Sequence, residues 1–375
     1  MIEKLKLMGV EAEAAWWMES YLSGRTQSTL VDGHLSSELP LPPCSVIQGG
    51  IGSGLLYLVY TNDLPDVIHE HEVNYNEPKA HCKEDGSMVN FVDDATVYID
   101  SKDPEEISLK LSNHYKKIER YMHANKLVIN SDKTHLIVMA GRGAASARRL
   151  DVEVQAGADR IKQSTTEKLL GGMIQNTGKW NEMVKNGKNS IVCQLAGRLN
   201  GLKKLQQADF KSKLAVTTAV IQSKIQYLLP LYGGAPAYLL GALQVQQLKA
   251  ARFVCGYRSY YWSTQKLLKT CNWLSVKQQE FYSTSLLAHK IATTNQPQNL
   301  SAALIQPHTV NTRAAAQGRI RYGDNFRGDS DLIRNSFKHR ALQYYNRLPV
   351  QMKQQKLPTF KIYLKKYAGE NIPLR

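Results

Sequence analysis

Two apolar runs of strand composition bracket a pair of carboxylates in this chain. Met88-Val89-Asn90-Phe91-Val92 precedes Asp93-Asp94, and Ala95-Thr96-Val97-Tyr98-Ile99 follows. Val, Phe, Thr, Tyr and Ile suit a pleated surface, so the pattern predicts a tight β-hairpin with the two aspartates at its tip. Upstream, 10–22 reads as a short helix with Trp16, Trp17 and Tyr21 on its apolar side and Gly24 as its stop. The stretches 26–31 and 34–39 flank Asp32-Gly33, a two-residue hairpin turn. Pro40, Pro42 and Pro43 mark a break. Gly49, Gly50, Gly52 and Gly54 then form a flexible loop. It runs into the apolar stretch 55–60, predicted as a buried helix closing near Asn62-Asp63-Leu64-Pro65. Residues 66–87 are polar and loop-like.

Ile107, Leu109, Leu111, Tyr115, Ile118 and Met122 recur at helical spacing. Their helix starts at 101–104, with Pro104 in the first turn and Glu105-Glu106 suited to the positive end of the helix dipole. Strands are predicted at 135–139, 152–154 and 168–174, with a Ser/Ala/Arg loop at 141–149. Beyond Trp180 the pattern is helical, with helices predicted at 191–205, 210–229, 238–254, 278–293, 333–345 and 360–367. The polar faces of the first three carry Arg198, Lys203, Lys204, Lys211, Lys213, Lys224, Lys249 and Arg252. No internal repeat is visible.

Length and composition bound this picture. The chain has 375 residues, which suits two or three domains, and its 43% hydrophobic content allows a core. No apolar run reaches about 18 residues, the length that reads as a membrane span. The N-terminal Met1-Ile2-Glu3-Lys4-Leu5-Lys6-Leu7 has no secretory pattern. Five widely spaced cysteines, Cys44, Cys82, Cys193, Cys255 and Cys271, fit a reduced intracellular protein, nuclear or cytoplasmic and not secreted. Charge divides the chain. Residues 1–140 hold 12 Lys+Arg and 21 Asp+Glu, a net of −9; residues 141–375 hold 36 and 11, a net of +25. An acidic, metal-binding part followed by a part that holds a polyanion, nucleic acid first of all, fits that division.

The chemistry centres on Asp93 and Asp94. Like charges at one tip repel unless a cation lies between them. Paired carboxylates on a rigid hairpin suit hard divalent ions and phosphoryl chemistry. Asp is also a turn former, so a plain surface turn is the alternative. Beside the pair, Gln48-Gly49 sets a side-chain amide next to a residue that lets a ligand approach the backbone. The helix that follows directs its positive end at the same place.

The order of these elements resembles a known family. The block from Ser45-Val46-Ile47-Gln48-Gly49-Gly50 to Thr61-Asn62-Asp63-Leu64-Pro65 resembles the Gln-Gly motif of reverse transcriptases from non-LTR (LINE-like) retrotransposons. Phe91-Val92-Asp93-Asp94 looks like that family's catalytic hairpin, and Asn125-Lys126-Leu127-Val128-Ile129-Asn130-Ser131-Asp132-Lys133-Thr134 like its next palm motif. Leu169-Leu170-Gly171-Gly172-Met173-Ile174 through Trp180 is similar to the strand-and-tryptophan block at the edge of the thumb. Tyr345-Asn346-Arg347-Leu348-Pro349 and Pro358-Thr359-Phe360-Lys361 resemble the closing region of such reading frames. The resemblance implies an α+β fold: a polymerase palm, an antiparallel sheet with packed helices, then a mainly helical thumb and a C-terminal region. Expected domains are 1–44, a remnant linking fingers and palm; 45–175, the palm; 176–256, the thumb; and 257–375, a basic C-terminal region. The implied activity is RNA-directed DNA polymerisation, a nucleotidyl transfer with an RNA template, a DNA primer and dNTPs. Asp93 and Asp94 would hold Mg²⁺ and be catalytic, with Asp93 the main ligand. Gln48 and Gly49 would position nucleotide and template, and Lys133 would stabilise or protonate the leaving pyrophosphate. Basic thumb helices would grip the template–primer duplex.

Three departures qualify the resemblance. The family's first palm motif, with a further metal-binding aspartate, should precede Leu5-Lys6-Leu7-Met8-Gly9, and the fingers or an endonuclease portion would lie further upstream. The expectation is therefore an N-terminally truncated copy, or a gene reading that begins late, inactive alone because two-metal chemistry wants that third carboxylate. Ile47 stands where proline is usual and Gly50 where serine is common. Other clusters carry less. His69-Glu70-His71-Glu72 with His81-Cys82 lacks zinc-site spacing and reads as a solvated insertion, and Cys255, Cys271 and His289 contain no Cys-x-x-Cys. Tyr257, Tyr260, Tyr261 and Trp262 interleave with Arg258; helix packing is the preferred reading over base stacking. The rival from another class is a non-catalytic nucleic-acid-binding remnant. A chain that never folds stably, its sheet short of one strand, is a third reading.

Overall fold

The computed structural model describes residues 1–41, 46, 50–68, 86–139, 150–157, 159–304 and 331–374. These divide into two compact units, Met1–Thr165 and Thr166–Arg375. Helices and small sheets are mixed, an α+β composition.

Unit 1 opens with α1 (Ile2–Leu7) and α2 (Ala12–Leu22). Trp16 and Trp17 of α2 are exposed and only Ala15 is buried, so its aromatic side is not a core face within the described residues. Next, β1 (Thr26–Gln27) pairs with β4 (Leu39–Pro40), enclosing the hairpin of β2 (Leu30–Val31) and β3 (His34–Leu35). Asp32 and Gly33 close that hairpin with φ of 49° and 81°, the two left-handed residues that an Asp-Gly turn supplies. Helix α3 (Ser53–Tyr60) forms where the apolar stretch predicted it, but only Leu56 is buried while Leu55 and Leu58 are exposed. A helix apolar all round needs partners on every side, and the described neighbours cover one.

The predicted hairpin is β5 (Ser87–Phe91) with β6 (Asp94–Tyr98). It is followed by α4 (Pro104–Ala124), whose start matches the sequence: Asp103 accepts from the Glu105 amide at 3.0 Å, Pro104 occupies the first turn, and Glu105 and Glu106 meet the dipole. One stripe of α4 then serves two small cores. Ile107, Leu111 and Tyr115 pack on Leu136, Val138, Val152 and Val154, while Ile118 joins Leu64, Ile68, Met88 and Val97. The first core covers β7 (Leu136–Ile137), β8 (Glu153–Ala156) and β9 (Asp159–Ser164), in the order β7-β9-β8, with β7 parallel and β8 antiparallel to β9. β9 had no sequence signal because Ile161 is its only apolar residue. Among the described residues the strands form five separate small sheets, and the β5–β6 hairpin pairs with no third strand.

Unit 2 begins with β10 (Thr166–Leu169) and β11 (Gly172–Gln175). The single strand predicted over 168–174 is thus a hairpin, turned by Leu170 and Gly171 at φ 46° and 78°. Helices α5 (Ile191–Leu202), α6 (Phe210–Thr217), α7 (Ala237–Cys255), α8 (Thr264–Thr270), α9 (Val276–Thr294), α10 (Phe337–Arg347) and α11 (Leu357–Asn371) follow. The helix predicted over 210–229 continues from α6 through a π turn, Thr218–Gln222, to Ser223–Gln226, and stops at Leu228, which is left-handed. The one predicted over 333–345 is broken, because the Ser336 side chain caps a new start by accepting from the His339 amide. One core gathers Leu195, Ile221, Ile225, Leu229, Leu239 and Leu243; a second gathers Phe281, Ala288, Leu342, Tyr345, Phe360 and Leu364 from α9, α10 and α11.

Candidate active site

The hairpin carries its carboxylates as the pattern required. Cross-strand pairs run from Ser87↔Tyr98 to Phe91↔Asp94, so Val92 and Asp93 form the two-residue turn and Asp94 opens β6. Alternation sets Met88 and Val97 on the face that packs against Leu64, Ile68 and Ile118. That packing fixes the register. Asp94 shares the opposite face with Val89, Phe91 and Tyr98, all exposed. Val92 has φ 54°, a left-handed conformation that is costly for a β-branched residue. Strain of this kind concentrates at functional turns.

Both carboxylates are exposed, and neither side chain accepts a hydrogen bond or ion pair from a described residue. Helix α3 lies near enough for its chemistry to register the pair. Burial pushes the Tyr57 hydroxyl up, and the negative charge of Asp93 pushes it further. A Cβ built on Gly52 or Gly54, just before and within the first turn of α3, meets nothing within 4 Å. Their smallness serves no described packing. Gln48 and Gly49 themselves lie outside the described residues, as do His69, Glu70, His71, Glu72, His81 and Cys82. Lys133 ends a short 3₁₀ turn, Ser131–Lys133, with an exposed side chain. No hydrogen bond or ion pair joins it to Asp93 or Asp94. Tyr57 of α3 thus feels the charge of Asp93, and no described hydrogen bond or ion pair couples Lys133 to the pair.

Other carboxylates of unit 1 are engaged elsewhere or stand apart. Asp63 accepts from the Lys4 ammonium at 2.8 and 3.0 Å and from the Tyr121 hydroxyl. Lys4 also donates to the Tyr60 carbonyl at 2.7 Å and lies over the Tyr60 and Tyr121 rings, 4.9 and 5.1 Å from their centroids. Burial opposes ionisation of Asp63, but the hydrogen bonds from Lys4 and Tyr121 outweigh it and hold the carboxyl below its ordinary range. The same carboxylate, after burial itself, drives the Tyr121 hydroxyl up. This cluster escaped sequence reading because its members lie 58 and 59 positions apart with no local pattern. Among the described residues no group of three His, Cys, Asp or Glu converges as a metal site.

Unit 2 contributes cations. Burial lowers the Lys224 ammonium, and the neighbouring charges of Arg198 and Lys168 lower it further. Such like-charge crowding is favourable only when an anion relieves it. Tyr260 and Tyr261 are 70% and 95% exposed, so the helix packing expected for those rings does not occur. Cys255 and Cys271 are free thiols with sulfurs 3.8 Å apart, and burial raises both, Cys271 to about 12. No helix of the described residues is long and apolar enough to cross a membrane.

An α+β unit with paired, exposed aspartates on a hairpin tip is a candidate for divalent-ion chemistry. Residues 1–177 match the family model described as reverse transcriptase (RNA-dependent DNA polymerase), a span that includes all of unit 1 and the β10–β11 hairpin. Those residues, a little under half of the chain, are thus similar to the reverse transcriptase family. No curated protein matches the chain.

Proposed function

We propose that this chain is reverse transcriptase palm, thumb and C-terminal region of the non-LTR retrotransposon kind, with Asp93 and Asp94 as its divalent-ion ligands. The observation that carries the reading is the position of Asp93: an exposed carboxylate at a hairpin tip that accepts from no described residue, its charge felt by Tyr57 of α3, inside the reverse transcriptase match. Two adjacent carboxylates without donors among the described residues fit a hard ion such as Mg²⁺, which would complete its shell with water. When bound, such an ion supplies activation of the primer 3′ hydroxyl and neutralises phosphate charge. Gln48 and Gly49 would position nucleotide and template, with room at Gly52 and Gly54 for close approach. Lys133, unengaged by described side chains, would serve the leaving pyrophosphate. The proposed palm is 45–175 and the proposed thumb 176–256; Arg198 and Lys224 of the thumb, crowded with Lys168 at the end of the palm, suit duplex phosphates.

Among the described residues no third carboxylate joins the pair, which makes it half of a two-metal site. The pair offers two carboxylates, and two-metal chemistry uses a third that bridges both ions. Primer extension on an RNA template with a DNA primer, dNTPs and Mg²⁺ tests this. The expected result is no extension by the chain alone; extension abolished by Asp93→Ala would overturn the half-site while upholding the polymerase assignment. The second reading, a non-catalytic nucleic-acid binder, is favoured by the +25 net charge of residues 141–375. Binding that weakens steeply with salt, without extension, selects it.

A further inference from the structure

The 70 residues between Asp209 and Glu280 include nine Lys or Arg and not one Asp or Glu. Within this carboxylate-free stretch the structure builds an aromatic turn. Helix α7 ends at Cys255, Gly256 redirects the backbone at φ 78°, and a 3₁₀ turn, Tyr257–Tyr261, leads to Ser263, which caps α8. The turn is anchored from beneath. Ser259 is fully buried, and its hydroxyl donates to the Gly256 carbonyl at 2.6 Å. Half-buried Trp262 packs against the cluster of Ala251, Val254, Leu267 and Cys271. A rigid base thus presents Tyr260 and Tyr261 to solvent at 70% and 95% exposure. Cations flank the rings: the Arg252 guanidinium lies 6.0 Å from the Tyr260 centroid and the Lys266 ammonium 4.3 Å from the Trp262 centroid.

We infer that this turn is a stacking platform for unpaired bases of single-stranded nucleic acid. Tyr260 and Tyr261 take two bases, and Arg252 and Lys266 take the phosphates beside them. Large aromatic rings left in water forgo their main stabilisation, burial, unless a ligand covers them. Alternating rings and cations on a fixed backbone meet both needs of a single strand, a π face for each base and a positive track for its backbone. The unbroken absence of carboxylates over 70 residues selects a polyanion as the occupant. The platform lies outside the matched domain and uses none of the Asp93 chemistry, so it stands or falls apart from the polymerase reading.

The test is fluorescence anisotropy of the full chain with a labelled oligouridylate and with a blunt duplex of equal length, without dNTP or Mg²⁺. The double variant Tyr260→Ala/Tyr261→Ala is expected to weaken oligouridylate binding about tenfold or more, the size of lost stacking. Duplex affinity should change less than about twofold and the salt slope should be unchanged, since no charge is removed. Tyr260→Phe/Tyr261→Phe should keep full affinity, because stacking needs the ring and not the hydroxyl. Wild-type protein that ignores oligouridylate, an alanine variant that binds it as wild type does, or equal losses for both ligands overturns the platform. With vesicles of anionic phospholipid as a third probe, loss confined to them would overturn the platform in favour of a membrane contact.

Discussion

Lys4 and Asp63 are joined at 2.8 Å, so the first helix of the chain is tied to the segment that leaves α3. The same ammonium reaches the Tyr60 carbonyl at the last turn of α3, and Tyr60 donates to the Asn125 carbonyl at 2.7 Å. Through these bonds the end of α3 is held against α1 and the end of α4. α3 is also the helix whose Tyr57 feels Asp93.

Acidification should loosen this tie. The Asp63 carboxyl is held below its ordinary value in the folded chain, so the unfolded chain takes up the proton first as pH falls. The stabilisation is complete above about pH 4 and is lost as pH falls through the folded value. The Asp63 side chain is 53% exposed, and solvent screening keeps the effect below about 1 kcal/mol. Asp63→Asn should lower the melting temperature of unit 1 at neutral pH, with the gap to wild type closing toward pH 3. A gap of constant size across that range would show that the ionised pair contributes nothing.

Val92 supplies a second prediction. Its left-handed conformation costs a β-branched residue about 1–2 kcal/mol, whereas Asn tolerates it. Val92→Asn should therefore raise unfolding stability by about 1 kcal/mol while leaving Asp93 and Asp94 in place. Urea titration measures this, and a lowered midpoint would contradict the strained turn.

The features legible in the sequence are those written in short-range pattern. Strand-forming composition gave the β5–β6 hairpin, Asp32-Gly33 gave the turn between β2 and β3, and Pro104 with two glutamates gave the start of α4. Misses have physical causes of two kinds. β9 is held by its neighbours rather than by its own residues, and the Leu170-Gly171 turn hides inside an apolar run that reads as one strand. The Lys4–Asp63–Tyr121 cluster and the exposure of Tyr260 and Tyr261 depend on which distant segments meet, and composition carries no record of that. The candidate site divides likewise: the carboxylate pair was visible as a motif, but its nearness to Tyr57 was not.

In unit 2 the buried pair of Glu280 and Arg340 predicts a large effect. Burial raises the Glu280 carboxyl, while Arg340, Tyr344 and Thr284 pull it back. Arg340 also donates to the carbonyls of Pro230 and Leu231, at 2.6 and 3.3 Å, and of Asn335, at 3.1 Å. Arg340→Met strands a buried carboxylate and these acceptors, at a cost of about 3–5 kcal/mol. Gly234→Ala attacks the same junction from outside, because a Cβ there would meet the Asn335 carbonyl oxygen at 1.9 Å. Both variants should unfold at markedly lower urea than wild type. An Arg340→Met midpoint near wild type would mean that the pair is dispensable.

His289 gives unit 2 a pH response near neutrality. Its ring stacks on Phe360 with centroids 3.7 Å apart and planes 11° from parallel, and its Nδ1 lies 3.4 Å from the Tyr345 hydroxyl. Burial holds its pKa below the ordinary imidazole value, against a backbone hydrogen bond involving Gln355 that favours the charged form. As pH falls below about 6.5, the unfolded chain binds a proton that the folded core refuses, so stability declines until the folded value is reached. Above that window the residue contributes no pH dependence. Each unit by which the folded pKa is depressed corresponds to about 1.4 kcal/mol. His289→Phe keeps an aromatic ring against Phe360 and removes the titration. Urea midpoints at pH 8 and at pH 5 should fall further for wild type than for the variant, the difference isolating His289 from the other histidines. Equal declines would place the acid sensitivity of unit 2 elsewhere.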